Sequence, residues 1–408
     1  MQSELCEYTP PPARSYRPVS VPNPEPASSL PAQTPRQPWQ SPPTCASQEE
    51  AAARIAGAVA GSRAEGTRRT YASAWRRFEA WCTVQGHTAL PAHPVTVAAY
   101  LVDAAAIYTE SGERAYAPVT LARWVAAIGH HHRTTGHSTP HTHDLVRSTL
   151  SGIRREYAAN GDRPRTPRAP LLVDDILTIV GSARQAVTGW ATEVHERRDC
   201  ALLLLGFAGA FRRSELVELV CGDVTVHRLD GIHVRLRRSK TDQEGAGAVR
   251  AVPFTTSHLS CPPCAYVRWA QVVAAYDLVG RPGVIRLLRT ATAFENHVCR
   301  SALPRMRARA PLFRAIRKNG NLSDTALSGA SVHAAIRRRA ALAGYDDNVV
   351  AQLGGHSLRA GFVTQAFRNG ADAHAIMRQT GHASPAVVEL YAREHAPLLG
   401  NAVTDIGL

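Results

Sequence analysis

The segment from Gly161 to Pro170, GDRPRTPRAP, constrains the fold of this chain more than any other feature of its sequence. Its three prolines and three arginines leave Ala169 as the only apolar side chain, so neither a helix nor a buried strand can run through it. We interpret residues 161–170 as an extended, charged linker. Because 408 residues are too many for one ordinary core, the sequence predicts two domains, residues 49–160 and 171–397.

The two ends of the chain are expected to lie outside these domains. Residues 1–48 hold 12 of the 27 prolines, and such a segment sustains neither helix nor interior strand. We interpret it as a disordered arm, with a partner-binding proline-rich tail as the alternative. Residues 398–408 are interpreted as a short C-terminal tail.

The first predicted domain carries the periodic pattern of amphipathic helices. Tyr71, Trp75 and Phe78 recur at helical spacing, and Pro94 has the first-turn position that proline favours. A small helical bundle with surplus arginine is a candidate DNA clamp. The alternative is a basic face that is simply solvated.

The charge of the chain indicates the kind of partner it binds. Lys and Arg number 47 against 33 Asp and Glu, which gives a net charge of +14. A charge this far from zero indicates a polyanion, most simply double-stranded nucleic acid. The positive excess lies in both predicted domains and not in the arm.

Composition also argues against several classes of protein. The longest apolar run, Cys200 to Phe211, is far shorter than the ~20 residues that a membrane span needs. The first residues carry no apolar signal-peptide core. Eight cysteines spread over the chain do not form a disulfide framework. We therefore expect reduced thiols, no membrane association and a cytoplasmic, nucleoid-associated protein.

Two groups of residues have the composition of metal sites. Cys261 and Cys264 form a C-x-x-C, but no second such pair follows at zinc-site spacing, so we favour packed thiols. Six histidines straddle a helix end and a polar turn, at positions 130, 131, 132, 137, 141 and 143. For these we favour polar turn residues near a phosphate backbone. The sequence therefore predicts neither a metal nor a cofactor.

Arg212 is the first of a dispersed set of reactive side chains in the second domain. It emerges just after ALLLLGF, an apolar run that predicts a buried helix. An arginine at the edge of a buried helix needs a partner. Glu215, three residues later, is one candidate, and a bound phosphate is another.

Lys240 ends the first of two β-like runs, IHVRLRR and AVRAVPF, which flank a polar turn as in a hairpin. Only Lys240 and Lys318 among the 47 basic residues are lysines. A lysine whose pKa is lowered by positive neighbours can release a proton near neutral pH, whereas a guanidinium cannot. Lys240 is therefore a candidate acid, with a plain phosphate contact as the alternative.

The last members of the set lie near the C-terminus. His356 and Arg359, in GGHSLRAGF, are three residues apart and share one face of a helix. His382 follows in TGHAS, and Tyr391 follows in VVELYAREH. Their structural alternatives are core histidines and an ordinary aromatic residue of a helix.

The order of six of these residues and the strings around them resemble those of the tyrosine site-specific recombinases, the phage integrase family. The six residues are Arg212, Lys240, His356, Arg359, His382 and Tyr391. The matching strings are RDCALLLLGFAGAFRRSEL, RSKTDQEG, GGHSLRAGF and TGHASPAVVELYAR. In the first domain, TYASAWRRFEAWC and GIRREY resemble the core-binding domain of that family. The resemblance covers roughly residues 50–397.

The resemblance implies a mainly α fold and a defined reaction. A helical, SAM-like core-binding domain would precede a mostly helical catalytic domain with a small antiparallel β-sheet. Tyr391 would attack a DNA phosphodiester to form a 3′-phosphotyrosyl link. Because that link conserves the bond energy, neither ATP nor a metal would be needed.

The resemblance also assigns a role to each of the other residues. Arg212, Arg359 and His382 would stabilise charge on the phosphoryl oxygens, and Glu215 would hold the Arg212 region in place. The two remaining residues would transfer protons. His356 would position or deprotonate the attacking hydroxyl, and Lys240 would protonate the leaving 5′-oxygen.

The implied assembly is a homotetramer on two paired recombination sites in double-stranded DNA, serving to integrate or excise a mobile element. An accessory DNA-bending protein is a candidate partner. Two alternatives stay open. One is a type IB topoisomerase-like activity on a single duplex, and the other is a DNA-binding protein with a recombinase fold that does not cleave.

The chain departs from the family pattern in three places. Residues 280–310 look like an insertion, and between 281 and 309 they hold seven arginines and one glutamate. This segment is a candidate for additional DNA or protein contacts. Ala383 stands where many relatives carry a basic residue, and the tail after Tyr391 is short.

Overall fold

The computed structural model describes most of the chain, namely residues 48–61, 63–162, 168–238, 247–290, 296–395, 397–398, 403 and 406. The predicted arm, apart from residue 48, lies outside the described residues, as do residues 163–167 of the predicted linker and most of the predicted tail. The chain divides into two compact units, residues 1–63 and 64–408. In the described part of the first unit the only helix is α1 (Gln48–Gly61).

Four helices build the N-terminal part of the second unit: α2 (Glu65–Gln85), α3 (Pro94–Ala105), α4 (Pro118–Thr134) and α5 (Asp144–Ala159). Proline opens both α3 and α4, where its fixed φ suits the first turn and its missing N–H costs no hydrogen bond. Phe78, Leu101 and Leu121 are fully buried in the core between these helices. The prediction that this region is helical is confirmed.

Several histidines of the predicted polar turn cap helices or pack against other side chains. His143 caps α5 by accepting a hydrogen bond from a main-chain N–H of its first turn. His132 is fully buried, and its Nε2 accepts the N–H of Ala92 at 2.9 Å. The ring of His131 stacks on Trp75 at a centroid distance of 3.8 Å. A phosphate contact by this turn stays a prediction.

The described residues beyond the predicted linker form ten helices: α6 (Val173–Gln185), α7 (Trp190–Ala208), α8 (Arg213–Glu218), α9 (Pro262–Val279), α10 (Arg281–Thr290), α11 (Gly329–Leu342), α12 (Asp347–Gln352), α13 (Gly355–Arg368), α14 (Ala373–Thr380) and α15 (Pro385–His395). The buried helix predicted from ALLLLGF is α7, in which every residue from Glu196 to Gly206 is buried. Leu203, Trp269 and Phe313 belong to the core that surrounds it.

Two small antiparallel sheets lie in the same region. The first has the order β1 (Val224–His227), β2 (Gly231–Leu236) and β3 (Ala248–Pro253). Its β2–β3 register pairs Gly231 with Pro253 and Leu236 with Ala248, so the predicted hairpin is confirmed. The second sheet pairs β4 (Arg314–Ile316) with β5 (Leu322–Ala326).

The cores of α2–α5 and of the region from α6 onward are separate hydrophobic clusters. A domain boundary at residues 161–170 nevertheless stays a prediction. Within the described part of the chain, no helix combines the length and the hydropathy that crossing a membrane requires.

Candidate active site

Arg212 and Glu215 meet where α8 begins. The main-chain N–H of Arg212 donates to Glu215 Oε2 at 2.8 Å, and its Nη1 donates to Oε1 at 2.7 Å. The Glu215 side chain is only 2% exposed, so the carboxylate holds the arginine in one orientation. Arg212 Nη2 also donates to the carbonyl of Gly381 at 3.4 Å. The contact predicted between Arg212 and Glu215 is therefore present.

Arg359 joins three separate elements through its guanidinium. It lies on α13 and is 2% exposed. Its Nη1 donates to the carbonyl of Ala210, after α7, at 2.8 Å and to that of Thr380, the last residue of α14, at 2.7 Å. Its Nη2 is buried and has no hydrogen-bond partner among the described residues. A donor of this kind is available to an anionic ligand.

The turn after α14 places His382 close to Arg212 and Arg359. Gly381 has φ = 65°, a left-handed conformation that glycine adopts without strain. Its N–H donates to the carbonyl of Met377, and this hydrogen bond ends α14. His382 Nδ1 lies 2.8 Å from the hydroxyl of Thr380. The turn thus fixes both the histidine ring and the carbonyl that receives Arg359.

Tyr391 lies on α15 beside both histidines. Its hydroxyl is 3.2 Å from His356 Nε2, and His356 belongs to the first turn of α13. The ring centroids of Tyr391 and His382 are 5.8 Å apart. Val363 of α13 and Val388 of α15 belong to one small hydrophobic cluster, through which the two helices pack against each other. The structure therefore brings together every described residue of the predicted set.

The cluster carries an excess of positive charge. Burial, together with the nearby guanidinium groups, lowers the pKa of His382 to about 3. Loss of hydration, Arg359 and Arg212 lower the pKa of His356 below its usual value. Burial and the neighbouring Arg212 also lower the pKa of Arg359. Both histidines are therefore neutral at pH 7, and a bound phosphate would relieve the repulsion among the arginines.

The comparison with curated proteins decides the family. An integrase/recombinase, an XerD homolog from Selenomonas ruminantium, is 32% identical to this chain over 350 residues. The match covers 85% of this chain and 85% of that protein. The chain belongs to the tyrosine recombinase family. The predictions of family, of a mainly helical recombinase fold and of an enzyme that cleaves and rejoins DNA are confirmed. No protein-family model matches the chain.

Solved structures of recombinases are more distant from this one. An XerH recombinase in a post-cleavage complex with its substrate is 15% identical, with a TM-score of 0.38 over 76% of this chain and 77% of that one. The Tn1549 transposon integrase with transposon right-end DNA is 13% identical, with a TM-score of 0.47 over 86% and 98%. Because identities and scores are low, the assignment depends on the Selenomonas ruminantium relative alone.

Arg250 is a member of the recombinase cluster that the sequence analysis missed. It lies on β3, is 3% exposed and donates to the Thr380 carbonyl at 2.8 Å. Its Nη2 is 3.8 Å from Glu215 Oε2, so this carboxylate lies between two arginines. Next to it, Gln379 Nε2 donates to the main chain of β3 at 3.0 Å, which holds the end of α14 on the sheet. The available signal was an arginine on the inward face of an alternating strand.

Lys240 lies outside the described residues, which stop at residue 238 and resume at 247 on either side of the β2–β3 turn. The structure describes both strands of that hairpin, and β3 is the strand that carries Arg250. The role of Lys240 therefore stays a prediction.

The predicted basic insertion, residues 280–310, includes α10, and three of its arginines have partners within the recombinase itself. Arg281 lies over the ring of Trp190 at 4.9 Å, and Arg300 lies over that of Phe254 at 5.2 Å. Arg307 forms ion pairs with two carboxylates, at 3.0 and 2.8 Å. These three side chains stabilise the segment, and additional DNA or protein contacts stay a prediction.

Proposed function

We propose that Tyr391 is the nucleophile of this recombinase and forms a 3′-phosphotyrosyl bond with DNA. The observation that carries the proposal is its hydroxyl, 3.2 Å from His356 Nε2 within a cluster of arginines. A free phenol has a pKa of ~10 and is mostly neutral at pH 7. A neutral imidazole at this distance can orient the hydroxyl and accept its proton.

Arg212 and Arg359 are proposed to hold the scissile phosphate. Phosphoryl transfer places negative charge on the non-bridging oxygens, and forked guanidinium donors stabilise that charge. Arg359 is anchored by one nitrogen and has another available, while Glu215 orients Arg212. His382 adds a hydrogen bond from its remaining ring nitrogen. Preorganised donors of this kind act without rearrangement when the charge develops.

Lys240 is proposed as the acid that protonates the leaving 5′-oxygen. Two observations support this role, the position of Lys240 between β2 and β3 and the packing of β3 against the cluster through Arg250. In general, a lysine beside other positive charges gives up its proton more readily than an isolated lysine does.

Replacing Lys240 with alanine should slow cleavage by roughly 10²–10⁴-fold, the usual contribution of a general acid. A substrate with sulfur at the 5′-bridging position should restore the rate, because a thiolate leaves without protonation. The measurement is single-turnover cleavage of both substrates. Lys318→Ala is the matched control, since it removes the only other lysine, and it should behave as wild type. An equal defect of Lys240→Ala on both substrates would rule out the acid role.

We further propose that four copies act on two paired sites to move a mobile element. The test is a plasmid that carries two directly repeated copies of the sequence flanking the encoding gene. Recombinant circles are expected, and the native mass of the trapped complex should correspond to four chains and two duplexes. Relaxed plasmid without recombinant product would instead support the topoisomerase-like alternative.

A further inference from the structure

Four potential metal ligands converge at a place that the recombinase reaction does not use. They are Cys261, Cys264, His297 and Cys299, and their donor atoms all lie within 4.8 Å of one another. The two first cysteines lie where α9 begins, and the other two residues belong to the basic insertion. The segment thus meets the rest of the catalytic region at this cluster.

The distances in the cluster match those of a tetrahedral zinc site. His297 Nδ1 is 3.3 Å from Cys264 Sγ and 3.6 Å from Cys299 Sγ. Zinc–sulfur bonds of about 2.3 Å and zinc–nitrogen bonds of about 2.0 Å place such ligand atoms about 3.5 Å apart. These two nitrogen–sulfur distances agree with tetrahedral coordination, and all four donor atoms lie within 4.8 Å of one another.

The groups around the ligands orient them for a metal. His297 Nε2 lies 3.1 Å from the carbonyl of Thr256, to which its N–H can donate a hydrogen bond, and this tautomer directs the lone pair of Nδ1 at the sulfurs. The N–H of Val298 donates to Cys264 Sγ at 3.4 Å, a contact that stabilises a thiolate. Hydrogen bonds of this type fix the ligands of metal sites.

Burial and charge also fit a bound cation. Cys261, Cys264 and Cys299 are at most 2% exposed, whereas His297 is exposed. Three thiolates and one imidazole around Zn²⁺ carry a net charge of −1. Arg268, which follows Cys264 by one helical turn and is 5% exposed, supplies a nearby positive charge, and its Nη2 donates to the carbonyl of Asn296 at 3.2 Å. A buried site with a net negative charge needs such a neighbour.

Packed thiols, the interpretation that the sequence favoured, account for fewer of these contacts than a bound zinc ion does. Packed thiols explain the burial of the sulfurs and an S–H hydrogen bond to His297 Nδ1, whereas a shared metal ion also explains why that nitrogen lies within 3.6 Å of both Cys264 Sγ and Cys299 Sγ. A disulfide between Cys261 and Cys264 would not explain why Cys299 and His297 lie beside them. The remaining ligands do not form a second C-x-x-C but an H-x-C, more than thirty residues downstream of Cys264.

We propose that Cys261, Cys264, His297 and Cys299 bind one structural Zn²⁺. The ion fastens the basic insertion to the start of α9 and to the segment that leaves β3. Because side chains fill all four positions, no ligand position is open for a DNA phosphate or water. The zinc therefore supports the fold and takes no part in the phosphoryl transfer.

The test is the metal content of the full-length protein, purified without added metal and measured by inductively coupled plasma mass spectrometry. Wild type should contain about one zinc per chain. Cys299→Ser and His297→Gln should each lose most of it. Cys221→Ser, which alters another buried thiol of the same region, should keep it.

A second measurement does not depend on the folding of variants. Wild-type protein in which Co²⁺ replaces the native metal should show thiolate-to-cobalt charge-transfer bands and the visible bands of tetrahedral cobalt. The proposal is overturned if wild type neither contains nor takes up stoichiometric zinc. It is also overturned if the unreduced protein has a Cys261–Cys264 disulfide, or if Cys299→Ser keeps full zinc.

Discussion

Replacing Tyr391 with phenylalanine should abolish the covalent protein–DNA adduct. The ring would still pack between His356 and His382, so the fold and DNA binding should be unchanged. Without the phenolic oxygen no bond to phosphorus can form, and cleavage should fall by at least about 10³-fold. The measurement is adduct yield on a suicide substrate, a duplex nicked so that the cleaved end diffuses away, resolved on a denaturing gel.

Tyr345→Phe is the matched control for this substitution. Its hydroxyl donates to Asp175 at 2.6 Å, and neither residue belongs to the cluster around Tyr391. This variant should form adduct at the wild-type yield. If Tyr391→Phe formed as much adduct as wild type, another residue would be the nucleophile.

Replacing Arg359 with lysine should slow cleavage by roughly 10²–10³-fold, the usual cost of losing a preorganised donor to a developing charge. Lysine keeps the positive charge but has no second nitrogen, so it cannot contact a main-chain carbonyl and a phosphate in the same planar, forked geometry. The loss should appear in the single-turnover rate at saturating protein. Affinity for the duplex should change far less, because many other contacts bind the backbone.

Arg314→Lys separates this catalytic effect from a loss of stability. Arg314 and Arg359 are both at most 2% exposed. Arg314 forms an ion pair with Asp277 at 2.6 Å, whereas Arg359 donates to main-chain carbonyls. Both variants should have a lower melting temperature, whereas only Arg359→Lys should lose cleavage rate in the folded state. Equal rate losses in the two variants would mean that Arg359 is only structural.

Much of the architecture could be predicted because it depends on local patterns. The apolar run that became α7 and the alternating runs that became β2 and β3 specify their structure over short stretches. His356 and Arg359 share a helix face because of their spacing alone. That they meet Tyr391 could not be derived from spacing, and the family resemblance supplied it.

The residues that the sequence analysis missed act through contacts between distant segments. Arg250 joins β3 to the end of α14, 130 residues later; the alternation of β3 indicates that its side chain faces inward but does not identify this partner. His297 approaches Cys264 only after α9 and the segment that follows bring the chain back. The lack of a second C-x-x-C at zinc-site spacing therefore did not exclude a cluster of four ligands.

The identity of the nucleophile is central to the reaction proposed for this recombinase. The direct measurement is mass spectrometry of the trapped adduct after digestion with nuclease and trypsin. Cleavage after Arg378 and Arg393 gives the peptide QTGHASPAVVELYAR, and we expect one nucleotide joined through its 3′-phosphate to Tyr391. A nucleotide on any other residue, or a link through the 5′-phosphate, would contradict it.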